Sequence, residues 1–395
     1  MKRNNILVFS EIYKRNFFES NNYKLPIECG GSQKNLISNL ELLKKHYNCF
    51  LLVRNLKDSS GWQSNDITLI PTGSIYDFEL PSYILIITNL LKNNPFNINT
   101  PNTSETIVIV HNNSFLSLLI KLIKPKYRVI FFIENDYKTM FWRPYINFFM
   151  KIFFFVFFFL NLLIVDKIIK IKPESWFLEN HLSLIKKKSY YLPNYINKKV
   201  FNPGKLQEVN TIKVNQIDKN DIVLLYVGRL DDYINKNPSL LFQSYDIVSK
   251  KVQNIKLIIL GTDRNYGNSL LKKFKPSTSE NIIFAGTVPN ELTVDYYRRS
   301  NLTLLTSNHE GSPYAILESL ACGTPCVTTD VVNSNIIKDG INGFISKSKD
   351  PENFATLILK GLSLSSTIKP LKKDLLDSSH DSFDKERTFL ELLSE

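Results

Sequence analysis

Short apolar runs alternate with amphipathic stretches along most of the 395-residue chain. In the second half, Ile222–Val227, Lys256–Leu260, Asn281–Ala285, Leu302–Thr306 and Cys326–Thr329 are bounded by polar or glycine-containing turns, which predicts buried strands. Between them, Pro238 to about Lys251, a polar stretch ending near Phe274, Asn290–Arg299 and Pro313–Cys322 read as helices. In the first half, Asn5–Phe9, Cys49–Val53, Thr106–Val110 and Arg128–Ile133 read as strands, and Ser32–His46, with Leu36, Leu40 and Leu43 on one face, as a helix. Alternating strands and helices predict parallel sheets covered on both faces. Two such series predict an α/β chain of two doubly wound domains, 1–200 and 201–365, joined near Tyr195–Lys219. A C-terminal helical segment, 366–395, is expected to pack back on the first domain. Ligands of such sheets bind beyond the carboxyl ends of the strands, and two domains facing each other make the cleft the expected site.

One stretch departs from this pattern. Eleven of the 27 phenylalanines lie between Phe131 and Phe159, and Ile152–Leu160 is nine apolar residues in a row. Upstream, Arg143, Asn147 and Lys151 recur every four residues and stack on one helix face. Lys151 and Asn161 interrupt a run barely as long as the roughly 18 apolar residues a spanning helix needs. A buried core helix, a helix lying in one leaflet with basic residues at the headgroups, and a true span all remain open.

Composition adds a charge asymmetry. The net charge is +12. Residues 1–200 hold 26 basic and 14 acidic side chains, and residues 201–395 hold 23 of each, so the whole excess lies in the first half. A basic surface attracts nucleic acid, anionic membrane or acidic substrate. A nucleic-acid binder would cluster its cations among exposed aromatics, whereas here the cations are scattered and the aromatics form an apolar block. The four cysteines, Cys29, Cys49, Cys322 and Cys326, form no CxxC and fit a reducing compartment; Cys322 and Cys326 read as small buried residues. No metal site is expected. The N-terminal run Ile6–Phe9 is too short for a signal-peptide core and reads as a first strand.

Three segments carry candidate chemistry. In EGSPYAILE, Glu310 precedes a helix and Glu318 lies within it, with Ser312 a plausible N-cap and Pro313 in the first turn. The free N–H groups of that turn suit phosphate or sugar oxygens, and each carboxylate can accept from vicinal hydroxyls. In LLYVGRLDDYINKNP, a strand ends at Gly228, Arg229 emerges at its tip and Lys236 follows seven residues later; two cations at one site suit a diphosphate. In CGGSQKN, Gly30 and Gly31 permit close backbone approach to a phosphate, without the spacing of a dinucleotide fingerprint.

In order and spacing these segments resemble the retaining family 4 glycosyltransferases of GT-B fold, the glycosyl transferases group 1. The resemblance covers nearly the whole chain and is densest from Leu224 to Ile345. Gly30-Gly31 resembles the N-terminal Gly-rich loop, and Leu192-Pro193-Asn194 with Phe201 and Pro203 resembles the stretch closing the first domain, with Tyr195 where the family usually has Gly. Glu310 to Glu318 matches the E-x7-E motif, continued by SLACGTPCVTTD, and Asp339–Phe344 resembles the DG-x-NG-F turn. The resemblance implies two Rossmann-like domains facing each other across a cleft, the first binding acceptor and the second nucleotide sugar. It also implies a hexosyltransferase-type activity that retains anomeric configuration and needs no cofactor or metal. Arg229 and Lys236 would hold the donor diphosphate, Glu318 the ribose, Glu310 the transferred sugar, and the backbone at Gly311, Ser312 and Tyr314 sugar or phosphate oxygens. Where the family often has a His after the strand at Arg128–Ile133, this chain has Glu134; His111, one strand earlier, and Glu134 are the acceptor-side candidates. The Arg229–Lys236 gap is about two residues longer than usual.

The expected partners are a nucleotide sugar and a lipid-linked or polysaccharide acceptor of cell-surface glycan assembly. Peripheral contact with the cytoplasmic face of an anionic membrane is expected, and nucleic acid is not. The rival reading is a non-catalytic GT-B protein that binds a nucleotide sugar or scaffolds a partner.

Overall fold

The computed structural model describes residues 5–9, 36, 39–40, 42–53, 62–64, 67–71, 106–111, 114–133, 148–171, 181–204, 217–262, 264–332, 336–368 and 382–394. The chain divides into two compact units, Met1–Pro193 with Thr388–Glu395, and Asn194–Arg387. The division falls a few residues before 200/201 because Ile196 and Phe201 are buried in the core of the second unit.

The first unit contains β1 (Asn5–Phe9), β2 (Asn48–Val53), β3 (Trp62–Ser64), β4 (Ile67–Pro71), β5 (Thr106–His111), β6 (Arg128–Ile133), β7 (Lys167–Lys170) and β8 (Ser189–Tyr191). They form one sheet in the order β3-β4-β2-β1-β5-β6-β7-β8. All neighbours pair in parallel except β3 and β4. Helices α1 (Ser114–Ile123), α2 (Phe148–Ile164) and α3 (Ser183–Lys187) make the successive crossovers from β5 to β8. Leu36, Leu40 and Leu43 are buried on the opposite face.

The second unit contains β9 (Ile222–Val227), α4 (Tyr233–Lys236), α5 (Pro238–Ser249), β10 (Ile255–Leu260), α6 (Arg264–Phe274), β11 (Ile282–Gly286), α7 (Asn290–Arg299), β12 (Leu302–Leu305), α8 (Tyr314–Ala321), β13 (Cys326–Thr329), β14 (Gly343–Ser346) and α9 (Pro351–Ile368). Its six strands are all parallel, in the order β11-β10-β9-β12-β13-β14.

Successive strand residues point to opposite faces, and both faces are apolar. Ile6 and Val8 enter one core layer of the first unit, and Leu7 and Phe9 the other. Val223 and Leu225 do the same against Leu224 and Tyr226 in the second unit. The turn at Asp339–Phe344 is structural. Asn342 is buried and bonds Lys338 N and Ile336 O, and a Cβ on Gly343 would lie 2.1 Å from the Cys326 carbonyl oxygen. Cys49, Cys322 and Cys326 are buried free thiols, and burial pushes the Cys326 thiol up to about 12, so it stays protonated and unreactive.

The aromatic stretch forms α2. Phe158 and Leu162 are buried against the sheet, and Asn161, which the sequence places as a polar interruption, points inward and accepts from Ser117 Oγ at 2.6 Å. The buried-core expectation therefore holds for one stripe of the helix only. Among the described residues no helix is long and apolar enough to cross a membrane.

The last helix, α10 (Ser382–Ser394), returns to the first unit. Phe389, Leu392 and Leu393 join the layer built on Ile6 and Val8. Arg128 donates to Leu393 O at 2.6 Å and Leu392 O at 3.0 Å, and Lys167 donates to Leu392 O at 2.7 Å. Two cations thus meet the negative end of the helix dipole. Phe389→Ala should destabilise the first unit by about 3–5 kcal/mol, read as an earlier urea transition for that unit with the transition of the second unit unmoved.

Candidate functional site

In the second sheet the strand order runs outward from β9 through β10 to β11, then returns to β12 beside β9. That reversal between β9 and β12 is the switch point where open parallel sheets bind ligands. The loops leaving these two strands are the two strongest motif segments. The loop after β9 carries Gly228, Arg229 and Lys236, and the loop after β12 runs through Glu310 into α8.

The loop after β9 turns sharply. Gly261, at φ +89°, approaches the backbone of Gly228 so closely that a Cβ there would lie 3.2 Å from its carbonyl. Thr262 Oγ1 donates to Gly228 O at 3.2 Å and accepts from Leu230 N at 3.1 Å. Arg229 stands out at the tip, 69 % exposed, with Nε 3.7 Å from Asp231 Oδ1. The stretch between Arg229 and Lys236 ends in the one-turn helix α4, which Asp232 caps through Asn235 N. The β12 loop clamps this turn: Asn308 donates from N to Asn235 O at 2.6 Å and from Nδ2 to Ile234 O at 2.7 Å, and Thr306 Oγ1 donates to Lys236 O at 2.9 Å.

The clamp brings two sequence-predicted residues into contact. Lys236 Nζ lies 2.5 Å from Glu310 Oε1, and Ser307 Oγ donates to the same oxygen at 2.7 Å. Ser307 is itself set by its carbonyl, which accepts from Thr329 Oγ1 at 2.6 Å. The Lys236 ammonium is thus charge-compensated at a partly buried position, on the loop that also carries the exposed guanidinium of Arg229. Two cations on one loop suit an anionic group, and a carboxylate can accept more than one hydrogen bond.

Glu318 sits one turn into α8 and is 2 % exposed. Tyr297 Oη, from α7, donates to its Oε2 at 2.8 Å. Burial, and then the neighbouring Glu318 charge, hold the Tyr297 phenol well above its usual range, so it remains a donor at any physiological pH. Tyr226, at the end of β9, is fully buried with its hydroxyl beneath Gly228, and burial together with Glu310, Asp232 and Asp231 likewise keeps it protonated.

The start of α8 differs from the expectation. Pro313, not Ser312, occupies the N-cap, with an extended backbone and no side-chain cap. Ser312 instead offers its carbonyl to Asn194 Nδ2 at 2.7 Å, so it is placed by the segment that opens the second unit. Gly311 and Ser312 are half-exposed, and Tyr314 is 8 % exposed in the core. The structure thus gathers Arg229, Lys236, Glu310, Gly311, Ser312 and Glu318 on two adjacent loops and one helix. Three supporting residues had no signal of their own in the chain: Tyr297, Ser307 and Asn194 act through contacts 21, 3 and 118 residues away.

In the first unit, His111 ends β5, is 4 % exposed, and stacks on Phe132 with centroids 4.7 Å apart. Gly30, Gly31 and Glu134 lie outside the described residues. Among the described residues no group of three His, Cys, Asp or Glu side chains could hold a metal ion.

The geometry agrees with comparisons to known proteins. Residues 208–374 match the family model described as glycosyl transferases group 1. Over 180 residues the chain is 27 % identical to a lipopolysaccharide 1,6-galactosyltransferase of Escherichia coli K12, covering 42 % of this chain and 49 % of the relative. Over 168 residues it is 28 % identical to an uncharacterised glycosyltransferase of Methanocaldococcus jannaschii, covering 41 % of this chain and 39 % of the relative. The matched stretch thus spans less than half the length of these curated relatives. The fold likeness extends over the whole chain. The sucrose-phosphate synthase of Thermosynechococcus elongatus superposes with a TM-score of 0.72 at 14 % identity, covering 99 % of this chain and 98 % of that one. The Anabaena protein HepE, solved with UDP and glucose, gives 0.66 at 13 % identity with both chains fully covered. The chain has the GT-B fold, and residues 208–374 of its second unit are similar to the glycosyl transferases group 1 family.

Proposed function

We propose that the chain is a retaining, metal-independent glycosyltransferase that moves a hexose from a nucleotide-diphosphate sugar to a lipid-linked or polysaccharide acceptor in surface-glycan assembly. The observation that carries this is the contact of Lys236 with Glu310 at the switch point, with Arg229 on the loop that leads to Lys236 and Glu318 on α8, which follows Glu310. The second unit holds the donor. Arg229 and Lys236 bind the diphosphate, Glu318 accepts from the ribose hydroxyls with its carboxylate oriented by Tyr297, and Glu310 faces the transferred sugar. As the bond from the anomeric carbon to the phosphate oxygen breaks, the electron pair goes to that oxygen. The charge that develops there is met by cations already in place. The acceptor hydroxyl forms the new bond on the same face, and its proton passes to the departing phosphate, which accounts for the lack of a separate base in the assignment. The first unit takes the acceptor, with Glu134 and His111 as its candidate residues. The relatives named for transfer to lipopolysaccharide support an acceptor of this class. The net charge of +12 confined to residues 1–200 supports peripheral association with the cytoplasmic membrane face.

Arg229→Ala should lower kcat/KM for transfer by about 10²–10³-fold, and Glu318→Ala should abolish the thermal shift given by the matching nucleotide. Full transfer by both variants would overturn the assignment. A screen of UDP- and GDP-sugars by thermal shift should give stabilisation with one nucleotide class, and a shift without turnover would favour the non-catalytic reading. Tyr297→Phe should raise KM for the donor several-fold and leave kcat within about twofold, as expected when a group orients a carboxylate that binds ground and transition states alike.

A further inference from the structure

Helices α1, α2 and α3 lie side by side on one face of the first sheet. Their outward side is apolar where a water-facing helix is normally polar. Phe148 and Phe149 are 70 % and 81 % exposed, and Phe155, Val156, Leu160 and Ile164 continue the face down α2. Phe115 and Leu122 extend it across α1, and Leu184 across α3. Phe115 packs edge-on against Phe157 at 5.4 Å, which in turn contacts Phe153 at 4.4 Å, so aromatic packing is continuous across the two helices. A contiguous apolar surface of this kind marks a place of association.

The charge on these helices selects the occupant. The three carry Lys121, Lys151, Lys186 and Lys187 and not one carboxylate. The carboxylate that follows α2, Asp166, is taken by Lys121 at 2.7 Å and by Val129 N at 2.7 Å. Lys126, Lys186 and Lys187 are exposed at the rim. In a twofold dimer the same patch would meet itself, bringing the lysines of both copies into one interface with no acid in the three helices to offset them. Anionic lipid headgroups supply that charge, and acyl chains supply an apolar phase for the phenylalanines. The helix cannot span: 17 residues rise about 25 Å, and Phe158, Asn161 and Leu162 are committed to the protein core.

We infer that the outer face of α1, α2 and α3 is a membrane-docking surface that seats in the headgroup and upper acyl region of an anionic bilayer. β6 ends at Ile133 and α2 runs back to β7, which places Phe148 and Phe149 toward the carboxyl edge of the sheet, where its ligands bind. The inference deepens the proposed membrane-associated acceptor and rests on that reading only for its purpose, because docking requires neither donor nor acceptor.

The full chain, without nucleotide sugar, should float with phosphatidylcholine vesicles containing roughly one anionic lipid in five, and bind pure phosphatidylcholine more weakly. Phe148→Ser with Phe149→Ser should lower the partition coefficient at least about tenfold; both residues are exposed, so the melting temperature should not change. Lys186→Glu with Lys187→Glu should weaken binding to the anionic vesicles alone. No flotation, flotation unaffected by both double variants, or a dimer that these substitutions dissociate while vesicles are ignored would each overturn the inference. Flotation with no transfer to any lipid-linked acceptor would leave the docking surface standing and remove the acceptor reading instead.

Discussion

A parallel sheet buried on both faces leaves its strands no polar surface to offer. In β1, Ile6 and Val8 face one core layer and Leu7 and Phe9 the other, and β9 repeats this with Val223 and Leu225 against Leu224 and Tyr226. Ligand chemistry on the sheet can then reside only where strands end, and the strand order decides which ends open beside each other. In the second unit that place is the junction of β9 and β12. Arg229, Lys236 and Glu310 are near one another because the strands beneath them are neighbours, although 81 residues separate Arg229 from Glu310.

The site built there is held mainly by its backbone. Asn308 and Thr306 grip the carbonyls of the α4 turn, Asn194 grips Ser312, and Thr329 grips Ser307. The ionic groups ride on that frame. A partly buried Lys236–Glu310 pair adds little to stability once desolvation is counted. Under the proposed function, its value would lie in holding a cation and a carboxylate at fixed positions before a ligand arrives, so that little reorganisation accompanies binding.

Much of this was legible along the chain, for a physical reason. Apolar runs bounded by turn residues locate buried strands without knowledge of their neighbours. Asn5–Phe9, Arg128–Ile133, Ile222–Val227, Asn290–Arg299 and Cys326–Thr329 accordingly have the bounds that the pattern predicts. Elements that owe their form to a distant partner were not legible. β7 is Lys-Ile-Ile-Lys, yet Lys167 and Lys170 are both buried, and Lys167 reaches the carbonyl of Leu392 at the far end of the chain. Asn161 reads as a break in an apolar run and turns out to be an inward polar contact with Ser117. Ser312 reads as a helix cap and is instead a carbonyl anchor, because a residue 118 positions away claims it. The spacing of Arg229 and Lys236 reads as long along the chain, which does not reveal that its last residues form the one-turn helix α4, clamped by a loop some seventy positions away.

The return of α10 to the first unit makes the second unit an insertion within it. A ribosome therefore delivers the two in an unequal order. Asn194–Arg387 is complete as soon as it emerges, whereas the layer around Ile6 and Val8 waits for Phe389, Leu392 and Leu393, which follow it in the chain. During synthesis the N-terminal sheet must persist with one face only partly covered, by Leu36, Leu40 and Leu43, while nearly two hundred intervening residues are translated. The integrity of the first unit therefore depends on α10: a product lacking that helix keeps an intact second unit and a first unit with an open core, the kind of surface that chaperones and proteases read.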